Sequence, residues 1–153
     1  MTQPPKPPRT LTDAALSDLL GRQHFGTLAT VKRSGHPHLT TMLYRWDPEN
    51  RLVRFLTTAD RAKVKHLRRD PRAALHVPGA DVWSFAVAEG EAEISGVTTV
   101  PGDAVGRELL EVVAKAAKPE DEAEFLERMV TERRVVLRLR VDRLYGAALD
   151  VDG

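Results

Sequence analysis

Two connections are so short that they decide how half of this chain can fold. Residues 25–32, 38–46 and 52–58 are three stretches rich in β-formers. Only Ser34-Gly35-His36-Pro37 and Asp47-Pro48-Glu49-Asn50 separate them, and both are turn sequences. A parallel pair needs a crossover of about a dozen residues or more, so these strands must form an antiparallel meander. The middle one alternates, with Met42, Tyr44 and Trp46 on one face and Thr41, Leu43 and Arg45 on the other. Successive side chains in a strand point to opposite faces, which separates the two sets.

The rest of the chain adds strands and helices around this meander. Thr12 can cap a helix whose Ala15, Leu16, Leu19 and Leu20 share one stripe, with Gly21 at its expected end. Asp60 is expected to cap a second helix over residues 60–69, stopped by Asp70-Pro71. Residues 73–77 and 82–94 read as strands split by Pro78-Gly79. Trp83-Ser84-Phe85 opens the second, and Gly90 marks a bulge within it. Residues 101–131 are helical in character, with a break at Lys118-Pro119 where Pro can open a new helix. Residues 135–142 alternate as one half-buried strand. Residues 1–10 hold four of the ten prolines and read as a tail, and residues 147–153 as another, leaving one domain over 11–146. Six antiparallel strands with inserted helices suit a small barrel, because closure removes the edges.

Charge is placed unevenly. The 153 residues carry 23 Lys and Arg against 22 Asp and Glu, a net +1. Residues 60–72 alone hold Arg61, Lys63, Lys65, Arg68, Arg69 and Arg72 against Asp60 and Asp70, so a net +4 sits in one segment. It follows Thr57-Thr58 at a strand end and opens a helix, where free N–H groups and the helix dipole favour a phosphate or carboxylate. Arg61 and Lys63 are the cations expected to reach such an anion. The alternative is a solvated amphipathic helix held to the barrel by Val64 and Leu67.

Several classes of chemistry lack their residues. Without cysteine there are no disulfides, thiolate metal sites or cysteine nucleophiles. The five histidines have no helical-spaced acidic partner, so no metal site is expected. Glu89, Glu91 and Glu93 form a row on one strand face, the pattern of a solvated face. The near-neutral total and the lack of aromatics within the basic run argue against nucleic acid. No apolar run is long enough for a membrane span or a signal peptide, and the expectation is a cytoplasmic protein.

The blocks RAKVKHLRRDPRAALHV, DVWSFAVAEGEAEI and MVTERRVVLRLRVDRLYG, in this order after a three-strand meander, resemble the pyridoxamine 5′-phosphate oxidase-like split β-barrel superfamily. Within it the chain is most similar to the deazaflavin-dependent oxidoreductases that use coenzyme F420. The resemblance implies a mainly β fold with helices, a six-stranded antiparallel split barrel of the FMN-binding type. It also implies a homodimer with a cofactor cleft at the interface and a small-molecule substrate. Coenzyme F420 is the implied cofactor, with FMN as the alternative on the same fold and a non-catalytic carrier as a third possibility. By resemblance Arg61 and Lys63 bind the cofactor phosphate, and Thr57 and Thr58 line that side. Thr41, Met42 and Leu43 lie along the ring, and Trp83 is an aromatic at the cleft from the second subunit. His66 is a further cofactor contact by resemblance, a ring donor where close relatives carry Asn, and Phe85 stands where some carry Tyr. The terminus lacks the Arg-Leu-Ala-Pro type ending of true pyridoxamine phosphate oxidases, which points away from vitamin B6 as substrate.

Overall fold

A computed structural model describes residues 7–149. Its elements are β1 (Arg9–Thr10), α1 (Asp13–Arg22), β2 (Phe25–Val31), β3 (Pro37–Asp47), β4 (Leu52–Thr58), α2 (Ala62–Arg69), β5 (Arg72–Pro78), β6 (Phe85–Ile94), α3 (Ala104–Val113), α4 (Glu122–Thr131) and β7 (Arg134–Ala148). One antiparallel sheet runs β1-β7-β4-β3-β2-β5-β6, and β7 also pairs with β6. The last pairing closes β2 to β7 into the expected six-stranded barrel, and β1 is a two-residue addition on β7.

β7 closes the barrel because it is long enough to serve two neighbours. Its residues 134–140 pair with β4 and its residues 137–147 with β6. The strand expected over residues 135–142 therefore runs on to Ala148, with its alternation broken at Asp142. Arg9 and Thr10 pair with Ala148 and Ala147, so the strands reach into both segments expected as tails. The remainder of those tails, residues 1–6 and 150–153, lies outside the described residues.

Inside the barrel, Leu28, Tyr44, Val53, Phe55, Leu75, Leu137 and Leu139 are fully or almost fully buried, joined by Leu16, Leu19 and Leu20 of α1 at one end. Thr12 caps α1 by accepting from Ala15 N–H at 3.2 Å, as expected. Gly21 does not stop that helix, which runs one residue further to Arg22 and ends at Gln23. The Tyr44 hydroxyl donates to the Leu20 carbonyl at 2.6 Å, and the Trp46 indole N–H to Ser17 Oγ at 3.0 Å, so both polar tips are paired. The sequence placed the bulge at Gly90, and the register does shift there. Glu89 faces Arg143 while Gly90 faces Val141, so the extra residue, Asp142, belongs to β7.

α3 and α4 form a second layer outside β4 and β7. Leu109, Val113, Phe125, Leu126 and Met129 pack on Val136, flanked by Leu43 and Leu56. Pro119 does not start α4: Asp121 caps it, accepting from Glu124 N–H at 3.1 Å, and Pro119 lies two residues earlier. α3 is capped by Asp103, whose carboxylate accepts from Thr98 Oγ1 at 2.6 Å and Gly106 N–H at 2.8 Å. Those bonds favour the charged form and hold its pKa at about 2.

Charge also pins α3 to the sheet. Arg138 donates to both oxygens of Glu108 at 2.7 Å, and Arg54 bridges Glu108 and Asp47 at 3.1 Å each. The Arg138 bonds are the main reason the Glu108 carboxyl titrates below 4.5. A depressed carboxylate stabilises the fold above its unfolded pKa, and that contribution disappears as pH falls through the folded value. Glu108→Gln is therefore expected to cost about 1–3 kcal/mol at pH 7. In urea titrations the gap from wild type should narrow on acidification below about pH 4.5. A gap unchanged at pH 3 would show that the charge is not what holds α3.

Candidate functional site

β3 and β4 separate part-way along. β3 pairs with β2 from Pro37 to Leu43 but with β4 only from Tyr44 to Asp47. β4 stays bound to β7 as far as Thr58. Beyond the Tyr44–Phe55 pair the two strands bound a slot, with the edge of β3 from Pro37 to Leu43 on one side and Leu56, Thr57 and Thr58 on the other. Among the described residues neither edge has a ladder partner there. Strand-edge N–H and C=O groups need partners, which water or a ligand bearing N–H and carbonyl groups can supply.

α2 follows the end of β4 and packs on β2 and β6. Asp60 does not cap it: Arg61 occupies the N-cap with no side-chain hydrogen bond, and its carbonyl accepts from Val64 N–H at 3.1 Å and Lys65 N–H at 3.3 Å. Asp60 is taken up by the Thr58 hydroxyl, which holds its carboxyl below the ordinary range. Lys63, in the first turn, is only 8% exposed. Burial, then Arg61 and Arg134, pull its ammonium below its usual pKa. Among the described residues it forms no ion pair. The ammonium of this largely buried side chain has only cations for neighbours, an environment that an anion such as a phosphate or carboxylate would stabilise.

Arg134 is the third cation, and sequence reasoning missed it. It lies outside the basic segment, and only the β4–β7 register sets it opposite Thr58. Arg133, at φ +54°, takes the left-handed turn after α4 that lets β7 start there. Glu132 accepts from Arg134 Nε at 2.8 Å, which leaves the two terminal nitrogens of the guanidinium. A groove of about 540 Å³, lined by Leu56, Phe125, Met129 and Arg128, leads up to it.

His66 sits one turn beyond Lys63. Its Nδ1 lies 3.2 Å from Oγ1 of Thr30, which is 1% exposed. The His38 ring approaches it edge to face, with centroids 5.1 Å apart. Burial, then the nearby His38, Arg69 and Lys32, lower the His66 pKa.

The other residues singled out from the sequence are divided. Thr57 points into the barrel and is buried, whereas Thr58 is half-exposed opposite Arg134. Thr41 is exposed on the outer face opposite Thr27, and Leu43 packs against the α3–α4 layer. Met42 lies in the barrel core, so its side chain is turned away from the slot and only its backbone borders it. Trp83 is not in a strand, because β6 begins at Phe85. It lies in a turn held by Asp81, which accepts from Trp83 N–H at 2.8 Å. The register puts this turn by Pro78, at the end of the sheet where β2 starts, while the cations lie where β2 ends. Seven residues of strand, about 20 Å, separate them within one chain. Among the described residues no group of three His, Asp or Glu could hold a metal ion, and no helix is long and apolar enough to cross a membrane.

Comparison with known proteins follows the same outline. The chain is 27% identical over 139 residues to an F420H2-dependent biliverdin reductase of Mycobacterium tuberculosis, covering 90% of this chain and 89% of that one. Its fold is similar to that of a conserved hypothetical protein of Mycobacterium tuberculosis, with a TM-score of 0.71 and 28% identity over 90% of this chain and 85% of the other. It is also similar to a solved F420 reductase, with a TM-score of 0.59 and 27% identity over 84% and 94% of the two chains. The sequence profile of pyridoxamine 5′-phosphate oxidase matches residues 12–147, nearly the whole barrel, and the chain belongs to that family.

Proposed function

We propose that this protein is an oxidoreductase that binds coenzyme F420 in the slot between β3 and β4, with the cofactor phosphate at Arg61, Lys63 and Arg134. The carrying observation is Lys63, a largely buried lysine that forms no ion pair among the described residues, beside two further cations. Similarity to two F420-dependent reductases supports the choice of cofactor. When bound, reduced deazaflavin supplies a hydride for an electrophilic carbon or conjugated double bond of a small molecule. The chain's own part is to hold and screen. The two strand edges offer backbone groups to the ring, Thr41 and Thr58 border it, and the cations grip the phosphate.

A second copy of the chain supports the same reading. Phe25, Leu39, Val82 and Trp83 are exposed, and with Ala29 and Ala74 they give the outer face of β2, β3 and β5 an apolar character. Large exposed apolar patches mark interfaces. A homodimer across this face would cover them, and Trp83, too far from its own cations, would be free to border the partner's slot.

Titration of the colourless protein with coenzyme F420 tests the cofactor. Quenching of deazaflavin fluorescence with saturable, stoichiometric binding is expected, followed by oxidation of the reduced form in the presence of a quinone, enone or tetrapyrrole. A protein that purifies yellow with a flavin spectrum and ignores F420 would replace this reading with the FMN alternative.

A further inference from the structure

One face of α4 belongs to no step described so far. Asp121, Glu124, Phe125, Arg128, Met129 and Glu132 recur at spacings of three and four, so they share that face. With Leu56 of β4 and Val113 of α3 it lines the groove of about 540 Å³, a volume that suits a small organic ligand. The groove and the slot are continuous. Leu56 borders both, and Arg134, opposite Thr58 at the slot, also lines the groove.

The floor of the groove is apolar, formed by Leu56 over the buried Val113, Phe125 and Met129. Charge is sorted along its length. Glu120, Asp121 and Glu124 lie where α4 begins, and Arg128, Glu132 and Arg134 where it ends. At 1.5 Å per residue the two ends are roughly 15 Å apart. Glu132 is committed, because it accepts from Arg134 Nε at 2.8 Å. Arg128 is not. Its guanidinium lies over the Phe125 ring, 5.7 Å from the centroid, and among the described residues it makes no ion pair, although Glu124 and Glu132 stand four positions to either side. A planar cation resting on a ring, with its N–H groups free, is preset for a carboxylate. The three carboxylates at the opposite end repel a second negative charge there.

We propose that this groove binds the small-molecule substrate and selects a molecule with an apolar body and one carboxylate, the carboxylate paired with Arg128 and the uncharged end toward Glu120 and Glu124. The proposal rests on the reductase reading for calling this ligand the substrate, but not for the existence or the preference of the site. Arg128 is then a specificity residue, separate from the cations assigned to the cofactor phosphate.

The chain supplies its own reporter. Of its three methionines, Met129 lines the groove, Met42 lies in the barrel core and Met1 is the first residue. Methyl NMR of methionine-labelled protein therefore reads the groove directly. Naphthylacetate and its amide, the same body with and without the charge, are titrated separately. The acid should move the Met129 methyl saturably, leave Met42 in place, and bind about three- to tenfold tighter than the amide. Arg128→Gln, at an exposed position, should bring the two probes within about twofold of each other. The proposal fails if the Met129 methyl stays put, or if acid and amide bind the wild type equally. It fails too if dilution of the ligand-free protein moves that methyl, because a second copy of the chain then covers the groove. Coenzyme F420, added in a further titration, separates the two readings. If it displaces the acid from Met129, the groove belongs to the cofactor, so the proposal falls and the cofactor reading stands. If F420 does not bind while the acid is still selected, the groove stands and the cofactor reading falls. Simultaneous binding of both supports both.

Discussion

Lys63→Met should lose cofactor affinity and gain stability in the same protein. Lys63 is buried, its ammonium is held below its usual pKa by burial and by Arg61 and Arg134, and it forms no ion pair among the described residues. A charged hydrogen bond to an anion contributes about 1.5–3 kcal/mol, so affinity for coenzyme F420 should fall about 10- to 150-fold. Arg61→Ala should weaken binding as well, though less, because Arg61 is exposed at the N-cap and water screens its charge. The double variant need not add the two losses, since both side chains would serve one anion. Without ligand the sign reverses. Met fills a similar volume with no charge to desolvate, so the variant should gain on the order of 1 kcal/mol, about 2–4 °C in melting temperature. Fluorescence titration and thermal melts of the apo-protein measure the two effects. A variant that binds F420 within threefold of wild type would remove Lys63 from the phosphate grip.

This opposition of signs also marks what the sequence could and could not show. The meander was legible because short turns leave antiparallel pairing as the only choice, and the β3 alternation grouped Met42, Tyr44 and Trp46 on one face, which the fold turns inward. The basic helix start was legible as a local charge excess, and Arg61 and Lys63 do lie together there. Arg134 was not, because pairing register, which no single segment encodes, carries it across to Thr58. Burial of Lys63 was invisible for a similar reason: within the helix it differs from Lys65 only in which side meets the barrel. The His38–His66 contact joins a strand start to a helix middle 28 positions away and has no spacing rule behind it. Asp60 misled because it has the right residue type for a cap, yet the Thr58 hydroxyl competes for its carboxylate and the helix starts two residues later. Trp83 was placed in a strand on its β propensity, but Asp81 accepts from the N–H groups of both Trp83 and Ser84 and makes a turn of that stretch.

Gly90→Ala should be the most damaging single methyl group in the barrel. At the β6–β7 bulge Gly90 faces Val141, and the backbone of β7 folds over it around the extra residue Asp142. A Cβ at Gly90 would overlap the Arg140 carbonyl oxygen and sit 2.9 Å from its carbon and 3.2 Å from the Asp142 nitrogen. These are backbone atoms of a strand bonded on both sides, so no side-chain rotation relieves the overlap. Relief needs the bulge to open, and the bulge lies on the seam that closes the barrel. Overpacking a site this rigid is expected to cost on the order of 3 kcal/mol, or about 6–12 °C in melting temperature for a chain of this length. Gly146 offers a control on the same seam. There a Cβ would overlap the Phe85 carbonyl oxygen and sit 3.0 Å from the Ala86 Cα, both backbone of β6, with the Leu16 side chain at 2.8 Å. Gly146→Ala should cost less, because β7 there lies between the first residues of β6 and the two-residue β1, which can splay, while at Gly90 both β4 and β6 hold it. Urea and thermal unfolding of the two variants would rank them. Equal losses would mean that the bulge at Gly90 yields as easily as the barrel end, and that the closing seam is held by side-chain packing more than by backbone fit.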